Sequence, residues 1–322
     1  MSAELLSADD AAIARAGGLI REGRLVAFPT ETVYGLGADA TNEHAVASIF
    51  EAKGRPTFNP LIVHVTDLEA AREHVLFTAK AELLARHFWP GGITFVLPRL
   101  DSSPLSLLVS AGLDTVAVRV PAHPLAQKLL KAAGRPIAAP SANASGEISP
   151  TQARHVMDSL GHATQLAMVL DGGPCMLGLE STVIGFPAHG GPALLRPGAI
   201  GRAEIEAVLG AALQDADVTS GDEGRSSPGQ LASHYAPHAH LRLNASAPHS
   251  NELWLGFGPD CPEAELNLSD SGNLTEAAAN LFSMLRALDA MADGKSLAVA
   301  PVPREGLGEA INDRLTRAAA PR

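Results

Sequence analysis

The sequence predicts an α/β protein in which a twisted, mixed sheet is flanked by helices and followed by a small, Rossmann-like second α/β domain. Short apolar segments of strand length alternate with segments that have helical spacing. Several strand-like segments follow one another without an intervening helix, which favours a mixed sheet over a regular doubly wound one. Residues 212–229 are rich in Asp, Ser and Gly and lack apolar periodicity, which predicts a linker. The expected boundaries are a domain at 1–210, a linker at 211–235 and a second domain at 236–322.

Helices are predicted where apolar residues recur every three or four positions behind a capping residue. The first begins after Ser7–Asp10, which places acids in its first turn, and reaches about Glu22. The other predicted helices are 42–52, 67–74, 78–87, one from Thr151, 202–209, 275–293 and 308–319. Strands are predicted at 25–28, 61–65, 93–97, 115–121, 252–257 and 296–300, with further strands that end near Pro140, start at Glu180 and end near Leu195.

Composition limits the possible functions. The chain has 322 residues and a formal net charge of −11, which disfavours a nucleic-acid binder held by a basic surface. It has no apolar run as long as a membrane span and no basic-then-apolar leader, so a cytoplasmic protein with no membrane partner is expected. Cys175 and Cys261 form no paired motif, so buried structural thiols are expected. His234, His238 and His240 lack a suitably spaced fourth ligand, so no metal site is predicted.

The most informative stretch is Lys53–His64, a short basic loop between a predicted helix and a predicted buried strand. Lys53 and Arg55 flank a glycine, so the backbone can turn tightly and direct both cations at one anion. Such a loop suits a polyphosphate. The alternative is a solvated loop with two ordinary surface cations, because no Walker-type glycine run accompanies it.

Two further segments predict ligand contacts. The Pro29–Gly37 segment is predicted to be a loop rich in hydroxyl groups after a strand, where α/β proteins often bind ligands; the alternative is a polar turn that caps the following helix. Arg119 lies within the alternating strand 115–121, and burying an unpaired arginine is costly. It therefore either faces a cleft and binds a carboxylate or phosphate, or lies on a solvated sheet face.

Two later segments complete the set of polar candidates. The small residues of 136–150 let a ligand approach the backbone, while Ser141, Asn143 and Ser149 supply neutral hydrogen bonds. Arg196 is a second cation at the end of a strand. No residue set has the appearance of a nucleophile with its base, so a covalent enzyme intermediate is not indicated.

Six segments in order carry a resemblance to a known family: Pro29–Gly37, Lys53–His64, Thr115–Pro121, Pro140–Pro150, Asp171–Ile184 and Leu195–Ile200. Together they resemble the threonylcarbamoyl-AMP synthases of the YrdC-like family. Ser227–Gly229 and His234–Pro237 resemble the long form of that family, which has an additional C-terminal domain. The resemblance spans nearly the whole chain and implies that 1–210 is a YrdC-like catalytic domain.

The resemblance implies an L-threonylcarbamoyladenylate synthase, a nucleotidyltransferase. L-threonine, bicarbonate (or CO₂) and ATP would give threonylcarbamoyl-AMP and pyrophosphate, with Mg²⁺ entering on ATP. A separate tRNA threonylcarbamoyl-transferase complex would then modify adenosine at tRNA position 37, so that contact with tRNA would be indirect or transient.

The resemblance also implies a set of site residues. Threonine would be held by Thr32, His64, Arg119, Ser181 and the backbone of Ala139. ATP would be held by Lys53, Arg55, Asn59, Thr115, Ser141, Asn143, Ser149, Arg196 and Tyr235. Lys53 and Arg55 would be the catalytic cations, and linker 211–235 is expected to act as a lid over the nucleotide.

Two other functions fit parts of the pattern. The first is a double-stranded RNA-binding module of the same fold without catalysis, which the acidic net charge disfavours. The second is a carbamoyl-adenylate-forming maturation enzyme that shares the core. Such an enzyme is expected to carry zinc-finger or acylphosphatase-like segments, and the sequence has no cysteine pairs.

Overall fold

The protein is described by a computed structural model that covers residues 3–187, 191–215 and 233–321. The strands are β1 (Glu4–Ser7), β2 (Leu25–Pro29), β3 (Tyr34–Asp39), β4 (Ile62–His64), β5 (Ile93–Pro98), β6 (Thr115–Arg119), β7 (Ile137–Ala138), β8 (Leu166–Asp171), β9 (Thr182–Gly185), β10 (Ala193–Arg196), β11 (Gln214–Asp215), β12 (Leu241–Arg242), β13 (Glu252–Gly256), β14 (Leu266–Asn267) and β15 (Ser296–Val299). The helices are α1 (Asp10–Arg21), α2 (Glu43–Lys53), α3 (Leu68–Arg72), α4 (Ala79–Phe88), α5 (Pro124–Ala133), α6 (Ala153–Leu160), α7 (Arg202–Leu209), α8 (Leu274–Met291) and α9 (Leu307–Ala318).

Within these residues, eleven strands form one large sheet in the order β1-β8-β2-β3-β7-β4-β6-β5-β9-β10-β11. Its pairing is mixed. The β2–β3 and β5–β6 pairs are antiparallel, whereas β2–β8 and β4–β6 are parallel. The prediction of a mixed sheet is therefore confirmed, and the direct strand-to-strand connections in the sequence correspond to its antiparallel pairs.

Helices cover both faces of the large sheet. Apolar residues of α1 and α5 pack together with β2 and β8 in one cluster. Those of α2, α4 and α6 belong to the larger core cluster. Helices α1 and α5 approach so closely that a Cβ on Gly17 would lie 2.7 Å from the carbonyl carbon of Ala132, so only glycine fits there.

The second sheet has the order β12-β15-β13-β14, and all of its pairs are parallel. Helices α8 and α9 pack against it in a separate core cluster. That cluster also includes Val33, Ile148 and Leu179 of the larger part. The hydrophobic core of the smaller part therefore continues into the larger one.

The longer predicted helices and strands are confirmed, but one expected loop is partly wrong and several elements were not predicted. The expected loop at Pro29–Gly37 is wrong beyond Val33, because Tyr34–Asp39 forms β3. Glycine suits position 37 of this strand, because an added Cβ would come within 2.8 Å of the Phe28 ring. Helix α5 and strands β1, β8, β11, β12 and β14 were not predicted. Of the predicted linker, residues 216–232 lie outside the described residues.

Two expectations from composition can be compared with the structure. Cys175 is buried as expected, whereas Cys261 is half-buried, and neither is in a disulfide. Burial raises the pKa of the Cys175 thiol to about 12. None of the described helices is long and apolar enough to cross a membrane.

Candidate active site

A cavity of about 580 Å³, part of it open to solvent, lies where the β2–β3 turn, the central strands and the first residues of the smaller part meet. Every residue expected to hold threonine lines it, together with four of those expected to hold ATP. The lining residues are Thr30, Thr32, Val33, Gly35, Arg55, Pro60, Leu61, Ile62, His64, Arg119, Ala139, Pro140, Ser141, Glu180, Ser181, Arg196, His234 and Tyr235.

Arg119 ends β6 and is buried at one end of the cavity. Its Nη2 lies 2.5 Å from Glu31 Oε1, and its Nη1 donates to Thr32 Oγ1 at 2.9 Å. Burial opposes ionisation of Glu31, but the Arg119 charge, the Arg119 hydrogen bond and backbone hydrogen bonds together outweigh it and lower the pKa of Glu31. The alternative prediction that Arg119 lies on a solvated sheet face is therefore wrong. Its Nε donates to the Gly91 carbonyl, so two of its five N–H groups remain for a ligand.

His64 ends β4, next to Arg119 in the parallel β4–β6 pair. Burial and the neighbouring Arg119 charge lower its pKa to about 3, so the imidazole is neutral near pH 7. Its Nδ1 is buried and has no hydrogen-bond partner among the described residues. A buried polar atom without a partner indicates a place for a ligand or a water molecule.

Lys53 and Arg55 flank Gly54, whose left-handed backbone (φ 57°) ends α2. Lys53 Nζ donates to the carbonyl oxygens of Ser141, at 2.5 Å, and Asn143. Arg55 Nη2 donates to the Pro60 carbonyl at 3.1 Å. Both cations are buried, so the alternative prediction of a solvated loop with two surface cations is wrong. Burial, with Arg55 nearby, lowers the pKa of Lys53 well below its usual value.

Burial is also the main cause that lowers the pKa of Arg55, to about 10, and it lowers the pKa of Arg196. Arg196 lies at the end of β10, where its Nη2 donates to the Ser181 carbonyl at 2.8 Å. Ser181 Oγ in turn lies 2.7 Å from Thr94 Oγ1. Buried cations with lowered pKa values are expected to bind a polyanion tightly, because an anion restores the favourable environment that burial removed.

Glu180 is a buried carboxylate in the cavity wall. Its Oε1 accepts a hydrogen bond from Ser149 Oγ at 2.5 Å, and its Oε2 accepts one from Arg314 Nε at 2.9 Å. Burial raises the pKa of Glu180, but the charges of Arg314 and Arg196, together with the hydrogen bonds from Ser149 and Arg314, more than compensate and lower it to about 2. Glu180 is therefore ionised near neutral pH.

Five predicted ATP contacts do not line the cavity. Lys53, Asn143 and Ser149 are buried but do not line it. Lys53 and Ser149 donate hydrogen bonds to the lining residues Ser141 and Glu180. Asn59 and Asn143 each leave the side-chain Oδ1 buried without a partner among the described residues. Thr115 begins β6, half-buried, at the end of the strand opposite Arg119. The structure therefore does not bring Thr115 to the cavity.

Three residues of the site were not singled out from the sequence. Glu31 and Glu180 lie directly beside the predicted Thr32 and Ser181, so a charged residue adjacent to each predicted contact was an available signal. Arg314 lies 134 residues from Glu180 in the chain, in a predicted helix of the second domain. No local pattern connects the two.

A twisted mixed sheet that buries Lys53, Arg55, Arg119 and Arg196 at or behind one cavity defines a class of α/β enzymes that act on small anionic substrates. A family model for Sua5, YciO and YrdC, described as telomere recombination, matches residues 18–198. A model described as the threonylcarbamoyl-AMP synthase C-terminal domain matches residues 200–320. The chain belongs to the Sua5, YciO and YrdC family.

Curated relatives and a solved structure agree with this assignment. The threonylcarbamoyl-AMP synthase of Bacillus subtilis is 49% identical over 76% of this chain and 69% of its own length. The threonylcarbamoyl-AMP synthase of Pyrococcus abyssi is 42% identical over 94% of this chain and 92% of its own. The crystal structure of P. abyssi Sua5 complexed with L-threonine aligns with a TM-score of 0.87 at 39% identity, covering 99% of this chain and 97% of that one.

Proposed function

We propose that the protein is an L-threonylcarbamoyladenylate synthase, which condenses L-threonine, bicarbonate and ATP to threonylcarbamoyl-AMP and pyrophosphate. The observation that carries the proposal is a single cavity with two different sets of polar side chains. One end has the buried Arg119 and neutral His64, and the rest has Arg55 and Arg196. The curated relatives of this name and the P. abyssi structure with L-threonine support the same reading.

Threonine is held at the Arg119 end. The two N–H groups that Arg119 has left bind the carboxylate, and Thr32 Oγ1, fixed by Arg119 and by Thr30 Oγ1 at 2.7 Å, adds a hydroxyl group. His64, neutral, and Ser181 complete the pocket, with the Ala139 backbone at its side. Glu31 keeps Arg119 in place by pairing with it and by accepting backbone N–H groups of Ala122 and His123.

ATP is held by the cations and neutral donors that the sequence predicts, apart from Thr115, which lies away from the cavity. Arg55, Arg196, Ser141 and Tyr235 line the cavity, and Lys53 fixes the carbonyl groups of the Ser141–Asn143 segment. Among the described residues, no group of three or more His, Cys, Asp or Glu side chains is placed to hold a metal ion. We therefore treat Mg²⁺ as part of the substrate, bound to phosphate oxygens.

The chemistry needs positioning and charge neutralisation. The threonine nitrogen forms a bond to the carbon of bicarbonate (or CO₂), loses a proton and gives a carbamate, with bicarbonate losing water. A carbamate oxygen then bonds to the α-phosphorus of ATP and pyrophosphate leaves. The protein holds the two reactants together and neutralises the developing negative charge with Arg55 and Arg196.

The proposal is tested by following pyrophosphate release from Mg²⁺–ATP while threonine and bicarbonate are omitted in turn, with mass spectrometry of the adenylate product. Release that needs both, together with the mass of threonylcarbamoyl-AMP, is the expected result. Release that ignores threonine, or no release at all, would contradict it.

The proposed function also determines how the protein relates to RNA. The product passes to a separate tRNA threonylcarbamoyl-transferase complex, so this chain contacts tRNA only indirectly or transiently. RNA binding without catalysis is disfavoured, because the net charge is −11 and the four cations of the site are buried.

A further inference from the structure

Helix α9, the last helix of the described chain, places one arginine against the cavity wall. Arg314 is fully buried, with 0% of its surface exposed. Its Nε donates to Glu180 Oε2 at 2.9 Å, and its Nη2 donates to the Pro197 carbonyl, also at 2.9 Å. Its Nη1 lies 2.5 Å from Asp313 Oδ2. Two nitrogens of the guanidinium group thus join α9 to two segments of the larger part, and the third pairs with Asp313 on α9 itself.

Each segment that Arg314 holds carries a residue of the nucleotide half. Glu180 accepts the hydrogen bond of Ser149, and Pro197 directly follows Arg196. The guanidinium carbon of Arg314 also lies 5.2 Å from the centre of the Tyr235 ring, within the range of a cation–π contact. Ser149, Arg196 and Tyr235 are all among the proposed ATP contacts. Arg314 makes no described hydrogen bond to a proposed threonine contact, although Ser181 directly follows Glu180.

We propose that Arg314 is a positioning residue for ATP, and that through it the smaller part of the chain completes the nucleotide half of the active site. Arg314 does not line the cavity. It acts by fixing the Glu180 carboxylate, the backbone after Arg196 and the Tyr235 ring in one arrangement. The inference rests on the proposed function, because it assumes that this half of the cavity binds ATP.

The threonine half has its own support and provides an internal reference. Arg119 is held by Glu31, and Thr32 is held by Arg119. Glu31 accepts hydrogen bonds from the backbone N–H groups of Ala122 and His123 and has no described contact with α9. Loss of Arg314 is therefore expected to affect the two substrates unequally. A purely structural role would lower stability and the amount of active enzyme without separating the two KM values.

The test compares three variants in the full chain. Arg314→Met removes the guanidinium group. Arg314→Lys keeps the charge but lacks the planar fork whose separate nitrogens reach three different partners. Arg202→Met is the matched control, since Arg202 also joins the two parts, through Glu309 on α9 at 2.8 Å, but does not line the cavity. KM for ATP and for threonine, and thermal unfolding, are measured for each variant.

We expect Arg314→Met to raise KM for ATP at least tenfold while KM for threonine changes less than twofold, and Arg202→Met to leave both unchanged. Arg314→Lys is expected to raise KM for ATP at least threefold, and it decides the matter if the Met variant does not fold. Wild-type KM for ATP in folded Arg314→Lys, or an equal rise for both substrates, would overturn the inference. A wild-type enzyme that forms no threonylcarbamoyl-AMP would instead contradict the proposed function.

Discussion

At the residue scale, Arg119 and Glu31 form a buried ion pair whose arginine keeps two N–H groups for the substrate. Replacing Arg119 with alanine should raise the dissociation constant for threonine roughly 10- to 150-fold, since charged hydrogen bonds contribute about 1.5–3 kcal/mol. ATP affinity should stay within about threefold. Calorimetric titration with each substrate measures both.

The same substitution leaves Glu31 buried and unpaired, which typically costs about 3–5 kcal/mol of folding free energy. The double variant Arg119→Ala with Glu31→Gln removes the stranded charge and should regain part of that stability without regaining threonine affinity. Recovery of both would mean that Arg119 acts only through the fold. Equal loss of threonine and ATP binding in the single variant would place Arg119 outside the threonine pocket.

Arg55 is the cation of the basic loop that lines the cavity directly. Its substitution by alanine should lower kcat/KM for pyrophosphate release roughly 10- to 150-fold, because one charged contact to phosphate is lost. The fold should survive, since the described Arg55 contacts are with carbonyl groups of its own loop. Steady-state kinetics with circular dichroism checks both statements. Lys128→Ala, at an exposed pair with Asp10, is the control, and wild-type turnover in Arg55→Ala would refute the role.

Which site residues could be predicted depends on how far apart their partners lie in the chain. The Lys53–His64 loop and the Thr115–Pro121 strand each contain their signal within a dozen residues, so the sequence alone indicates Arg55 and Arg119, both of which line the cavity. His64 was assigned by the resemblance and lines it too. Glu180 depends on Arg314, which no neighbouring residue indicates. Thr115 was assigned by resemblance to the ATP site, but the strand direction places it away from the cavity.

At the element scale, the segment before Glu180 packs closely against α8. Gly178 has a left-handed backbone (φ 67°), and an added Cβ would lie 2.5 Å from the Ala278 carbonyl oxygen and the Ala279 Cα. Because these are backbone atoms of a helix, they cannot move aside independently. Gly178→Ala should therefore lower the free energy of unfolding by about 2–5 kcal/mol, from left-handed strain plus overpacking.

The matched control for Gly178 lies five residues earlier in the chain. Gly173 has a comparable backbone (φ 81°), but nothing lies within 4 Å of an added Cβ. Gly173→Ala should cost only the strain, about 1–2 kcal/mol. Urea unfolding of both variants separates the two effects. Equal costs would mean that α8 can retreat from Gly178.

Elements were predictable where apolar periodicity and caps agreed, as in α2, whose Asn42 accepts hydrogen bonds from the backbone of His44 and Ala45. Strand β3 was missed because its two glycines suggest a turn. In the structure the two glycines instead let β3 approach Phe28 on one side and Ile137 and Ala139 on the other. These contacts depend on which strands neighbour β3 in the sheet. Such close approaches cannot be read from one segment alone.

At the scale of the whole molecule, the two sheets meet through a core cluster that contains Val33, Ile148, Leu179 and Tyr235 beside α8 and α9 residues. The sequence predicts a boundary between the two parts at a polar tract. Near it, the first family model ends at residue 198 and the second begins at residue 200. The sequence did not reveal that the smaller part helps to build the cavity wall. We propose the boundaries 1–210 and 236–322 as units of sequence, with a shared active site.

The buried Glu180–Arg314 pair makes the stability of this joined molecule depend on pH. The pKa of Glu180 is lowered from 4.5 to about 2 in the folded protein, so the unfolded chain binds the proton more readily. The contribution of Glu180 is therefore fully present above pH 4.5 and is lost as pH falls toward 2. A shift of this size corresponds to about 3 kcal/mol.

Glu180→Gln should consequently be less stable than the wild type above pH 4.5, and the difference in the free energy of unfolding should shrink as pH falls toward 2. Denaturant unfolding between pH 7 and the lowest pH at which both proteins fold measures it. Glu51→Gln, at an exposed position of α2, is the control and should differ from wild type by less than about 0.5 kcal/mol throughout. If the difference in the free energy of unfolding between Glu180→Gln and the wild type does not change with pH, Glu180 contributes through hydrogen bonds alone. A neutral amide would then lower the stability equally in acid and in neutral solution.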